Sequence, residues 1–164
     1  MQRLLLFAVL FVSLTAFAGE LDVVARLDGK NITKQILKEY ANSLKNKKYM
    51  ELLNSREGLK KLAEYYIQRQ ILLEEAKKTV NKNKEMFKSH SSKVGEDTAY
   101  ILTYLNMEIG SKVQPTEEEV ERYMKEKHVT KVQARRDLMA EKSKKLYLQL
   151  IERLKKKHKI EFLY

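Results

Sequence analysis

The sequence predicts a mainly α domain with a small β element, and three observations carry that prediction. Punctuation is scarce: there are five glycines, none beyond Gly110, and one proline, Pro115, so few of the turns that sheets require are available. The stretch Arg56 to Lys78 is the longest helix pattern in the chain, with Leu59, Leu62, Ala63, Tyr66, Ile67 and Leu73 gathered on one face. Short β-prone runs, Val23 to Leu27 and Ile160 to Tyr164, stand at either side of the helical region.

In the long helix, Ile71 falls at one margin of the apolar face and Tyr65, Leu72 and Ala76 at the other. Only a wedge of Lys60, Lys61, Glu64, Gln68 and Glu75 stays polar. A helix apolar over more than half its circumference needs cover from several sides, so the remaining chain is expected to wrap it.

Taken in order, Val23, Ala25 and Leu27 alternate with Val24 and Arg26 ahead of Asp28-Gly29, a short strand entering a turn. Thr33 then caps a helix whose apolar positions Ile36, Leu37, Tyr40, Ala41 and Leu44 repeat at three and four, and the tract Asn42 to Lys48 ends it. Beyond the central helix, Thr79 to Asn83 has no helical period, and Lys82 to Gly95 is expected to be irregular. The stripe Tyr100, Ile101, Tyr104, Leu105 and Ile109 resumes a helix capped by Asp97 and stopped at Gly110-Ser111. Pro115-Thr116-Glu117-Glu118-Glu119 is a capping box in which Thr116 and Glu119 serve each other's backbone, opening a short helix that buries Val120, Tyr123 and Met124. A fifth helix runs from about Thr130 to His158. Ile160 to Tyr164 should then pair with Val23 to Leu27 and tie the ends together.

The first eighteen residues combine Arg3, an apolar run from Leu4 to Val12, and small residues at Ala16 and Ala18. This is the pattern of a secretory signal peptide cleaved after Ala18, because the run is shorter than the ~20 residues of a membrane span. Residues 19–164 then form one domain in the periplasm or outside the cell. No cysteine is present, so packing alone must hold that domain. The formal charge of +11 suits acidic partners. Export removes nucleic acid from the candidates and leaves acidic polypeptides, with peripheral contact to an anionic membrane surface still open.

Catalytic chemistry is not expected. His90, His128 and His158 are far apart in sequence and have neither i, i+4 partners nor cysteines, so no metal site is predicted. His90 adjoins Ser91-Ser92, but a nucleophile needs an orienting third group on a rigid scaffold. The run Glu117 to Glu119 reads as a charged helix start. Neither cofactor nor nucleotide is called for.

Four stretches, in this order, resemble the helical chaperone module of SurA-like and PrsA-like exported folding factors, related to the substrate-binding part of trigger factor. Val23 to Leu37, VVARLDGKNITKQIL, is similar to the opening strand, turn and Thr-capped helix. Leu62 to Lys78, LAEYYIQRQILLEEAKK, is similar to the central helix. Pro115 to Glu126, PTEEEVERYMKE, resembles the segment introducing a tyrosine-containing helix, and Leu146 to Tyr164 the last helix and closing strand. The resemblance implies a five-helix, SurA N-domain-like module that binds unfolded polypeptides without ATP. It also implies a departure: family members commonly insert a parvulin-type prolyl isomerase domain where only Lys127 to Leu146 stands here. Val132 to Arg136 faintly resembles the first parvulin strand, but no glycine follows and a helical period begins at once, so the segment is read as helix and the isomerase as absent.

The compositional excess fits that reading. Nine tyrosines and the methionines at 50, 86, 107, 124 and 139 supply large, adaptable apolar surface. Tyr65, Leu72, Tyr100, Tyr104, Tyr123 and Met124 lie at stripe margins or in short elements and are the candidate substrate-binding residues of a partly open groove. The expected function is a chaperone for unfolded exported or outer-membrane polypeptides. The alternatives are an envelope adaptor with one dedicated partner, with homodimerisation open, and a degenerate isomerase-family protein.

Overall fold

Asp28 and Gly29 both take positive φ, 50° and 79°, the geometry of a two-residue hairpin turn. They join β1 (Val23–Leu27) to β2 (Lys30–Thr33), a strand that the alternation pattern did not reveal. The computed structural model describes residues 22–82 and 84–163; the expected signal peptide lies outside them. In register, Leu27 faces Lys30 and Ala25 faces Ile32. On its other edge β1 pairs antiparallel with β3 (Ile160–Phe162), with Leu27 opposite Ile160 and Ala25 opposite Phe162. The expected tie between the two ends is thus present, in a sheet of order β2-β1-β3.

Seven α-helices occur among the described residues, two more than the periodicity predicts. The first, α1 (Lys34–Ser43), begins where Thr33 Oγ1 accepts the Ile36 amide at 3.3 Å. It ends at Ser43, inside the tract expected to end it, and a second, unexpected short helix follows, α2 (Lys47–Glu51), with Asn46 Oδ1 accepting the Lys48 amide at 3.0 Å. A 3-10 turn, Leu52–Asn54, leads to the central α3 (Arg56–Thr79), capped by Ser55. Gly58 is required here: a Cβ would stand 2.2 Å from the Leu52 carbonyl oxygen.

The segment expected to be irregular is corrected: Glu85–Val94 forms α4. Its anchor is Phe87, 5% exposed, whose ring centroid lies 4.8 Å from that of Tyr100 on α5 (Glu96–Ile109). Met86, Phe87 and Val94 do not fall into a helical stripe, and of the three only Phe87 is buried, which suffices when a neighbour covers it. Gly95, at φ 82°, precedes α5, so Asp97 is not the cap; it sits in the first turn and pairs with Lys77 of α3 at 2.8 Å. A 3-10 turn, Gly110–Lys112, follows. The capping box forms as expected, with Thr116 Oγ1 accepting the Glu119 amide at 3.2 Å and Glu119 Oε2 accepting the Thr116 amide at 2.8 Å, opening α6 (Glu117–Lys127). Thr130 caps α7 (Lys131–Lys155), a single helix through Val132 to Arg136.

The core follows from α3. Leu62, Ala63, Ile67, Ile71, Leu72, Leu73 and Ala76 are all buried, so α3 is covered from several sides, by α1, α5, α7 and β1. No described helix is long and apolar enough to cross a membrane.

Candidate functional site

The site is built where α1 and α2 meet the outer side of α3. Tyr49 of α2 meets Tyr65 of α3 edge-on, ring centroids 6.0 Å apart, and Tyr40 of α1 meets Tyr66 in the same way at 5.3 Å. From the far side Tyr147 of α7 reaches in, its hydroxyl 3.5 Å from Gln68 Oε1. The rings of Tyr40, Tyr49, Tyr65 and Tyr147 wall a depression of about 310 Å³ with Leu72 beneath it. Burial pushes the Tyr40 and Tyr147 hydroxyls above the usual phenol range, with Arg69 opposing that effect at Tyr40. These hydroxyls therefore stay protonated at neutral pH, as polar tips on apolar walls.

A second depression, about 510 Å³, lies between α5 and α7 and is lined by Leu102, Leu105, Ile109, Lys144 and Tyr147 among others. Tyr147 lines both, so the two depressions adjoin on either side of its ring. Leu102 is 39% exposed, and Met107 and Leu148, on the same two helices, are 41% and 52% exposed. Exposed apolar surface of this kind on a small domain suits an apolar chain.

Of the six residues that the sequence offered, Tyr65 and Leu72 fall at the tyrosine-walled trough. Leu72, only 3% exposed, is its floor and not an open contact. Tyr100 and Tyr104 are corrected: both are packed in the core, 5% and 3% exposed, because α4 covers the first and α7 the second. Tyr123 and Met124 are half-buried on α6 and line neither depression. The residues missed are Tyr40, Tyr49, Arg69 and Tyr147. Their only sequence signal is the tyrosine excess, since they converge from four different helices.

A different cluster joins the turn of the hairpin to the end of α7. His158 Nδ1 lies 2.7 Å from Asp28 Oδ2, the Lys159 amide donates to Asp28 Oδ1 at 2.7 Å, and Glu74 is close by, with ligand-type atoms of all three within 4.8 Å. Sequence distance hid this grouping. Its carboxylates are already partnered, Asp28 as described and Glu74 by Lys78 at 2.7 Å, so the arrangement acts as a latch holding the hairpin turn to the C-terminal segment. The depression of about 440 Å³ beside it is bordered by the same paired groups.

No family model, curated protein or solved structure matches the chain.

Proposed function

We propose that this protein is an ATP-independent chaperone of exported polypeptides, a counterpart of the SurA-like helical module without an isomerase domain. The observation that carries the reading is the depression walled by four tyrosines, with a second apolar depression on the Leu102 side of Tyr147. It suits an extended segment bearing apolar or aromatic side chains. Each buried Å² of apolar surface contributes about 25 cal/mol, so a segment filling part of the trough is held weakly and reversibly. The apolar run Leu4 to Val12 with Ala16 and Ala18 supports export to the periplasm or the exterior, where the clients are unfolded secreted or outer-membrane proteins and no nucleotide supplies energy.

The test is light scattering of a denatured client diluted into buffer with the purified protein at near-stoichiometric ratio, at low and high salt. Suppression that persists at high salt supports an apolar trough, because charge attraction between exposed groups is screened within a few ångströms there. No suppression with several clients sinks the reading in favour of an adaptor with one dedicated partner, which crosslinking would then identify.

A further inference from the structure

Among the described residues Arg69 is the only charged one lining the tyrosine-walled depression, Lys144 lining the neighbouring one. It sits one turn after Tyr65 and three residues before Leu72, which puts the guanidinium on the trough side of α3. Elsewhere on α3, α5 and the end of α7 charged groups are matched: Lys77 with Asp97, Lys78 with Glu74, Lys157 with Glu75, Arg153 with Glu108. Among the described residues Arg69 has no hydrogen bond, ion pair or stacked ring, and Gln68 Oε1 is already facing the Tyr147 hydroxyl. Arg69 is half-buried as a residue, and its guanidinium nitrogens are reachable from outside, with five donors open to a ligand.

We infer that Arg69 makes this trough selective for polypeptide segments in which a Glu or Asp side chain stands beside apolar or aromatic residues, the carboxylate pairing with Arg69 while its neighbours pack on the tyrosines. This rests on the chaperone reading and names its preferred substrate. A carboxylate matches a guanidinium through two parallel hydrogen bonds. A phosphate is less well served, since its second charge has no further cation in the depression. The net charge of +11 favours the same clients at longer range.

The experiment is fluorescence anisotropy of the purified protein with two labelled peptides of about a dozen residues, identical except that one carries Glu and the other Gln between aromatic residues. The expected result is about tenfold tighter binding of the Glu peptide, the order of a charge-assisted hydrogen-bonded pair. Arg69→Gln should abolish the difference between the two peptides, and Arg69→Lys should keep part of it. Equal binding of the two peptides by the unaltered protein overturns the inference but leaves the chaperone reading standing. A preference that survives Arg69→Gln also overturns it, by assigning selectivity to the lysines outside the depression. Binding of neither peptide overturns both.

Discussion

The imidazole Nδ1 of His158 lies 2.7 Å from Oδ2 of Asp28, across 130 positions of sequence. With the Lys159 amide on the other carboxylate oxygen, it locks the hairpin turn against the C-terminal segment just before β3 begins. These two hydrogen bonds hold the Asp28 carboxyl below its ordinary value of 3.8.

A group whose folded pKa is depressed stabilises the fold above its unfolded pKa, and that stability is lost as pH falls through the folded value. Unfolding of the wild-type chain should therefore show an acid-dependent loss that is complete only below pH 3.8. Asp28→Asn keeps the positive φ, which asparagine tolerates, and removes the charge. Thermal melts from pH 7 to pH 3 should show a shallower acid slope for the variant; identical slopes would deny the latch. The carboxylate is 42% exposed, so the effect is small.

Thr116 and Glu119 close both halves of the capping box. Thr116→Ala should lower stability by ~1 kcal/mol, and Thr116→Ser should recover most of it. Urea titration is the check, with the midpoint moving and the slope constant.

Phe87 is the side chain that makes α4 part of the domain. Phe87→Ala should cost ~3 kcal/mol through the lost ring and the cavity left against Tyr100. Amide exchange over residues 85–94 should accelerate in step. A near-neutral variant would mean that this stretch is as irregular as its sequence suggests.

The trough separates contact residues from core residues. Tyr49→Ala and Tyr147→Ala should weaken peptide binding several-fold each, for about 1 kcal/mol of lost ring contact. Tyr147→Phe should bind within about twofold of wild type, since among the described residues the hydroxyl's one hydrogen bond is the long one to Gln68. Leu72→Ala should act chiefly on stability, by 2 kcal/mol or more, roughly as other buried leucines do. Met124→Ala on α6 should leave anisotropy titrations unchanged.

Much of the helical skeleton was legible because its signals are local. Thr33, Thr116 and Thr130 each cap a helix through their own side-chain oxygen, and the alternation of Val23, Ala25 and Leu27 belongs to one strand. The elements that escaped notice, β2, α2 and α4, are short or sparsely apolar. β2 is held by β1 across the turn, and α4 by the Phe87 contact with Tyr100. The site was less legible still. Stripe margins marked Tyr65 and Leu72, but they marked Tyr100 and Tyr104 equally, and only the packing of α4 and α7 over α5 buries the latter pair.

By itself, then, the sequence determined five of the seven described helices and where most of those five start, because caps and periods are settled within a few residues of each other. It also determined that α3 is the central helix, because no other helix pattern between residues 19 and 164 is apolar over so much of its circumference. Only the tertiary structure decided which tyrosines form walls and which form core, and that Arg69 lines their depression with no hydrogen-bond or ion-pair partner among the described residues. Those outcomes depend on contacts between α1, α2, α3 and α7, and a side chain's exposure is a property of what the distant chain brings to cover it.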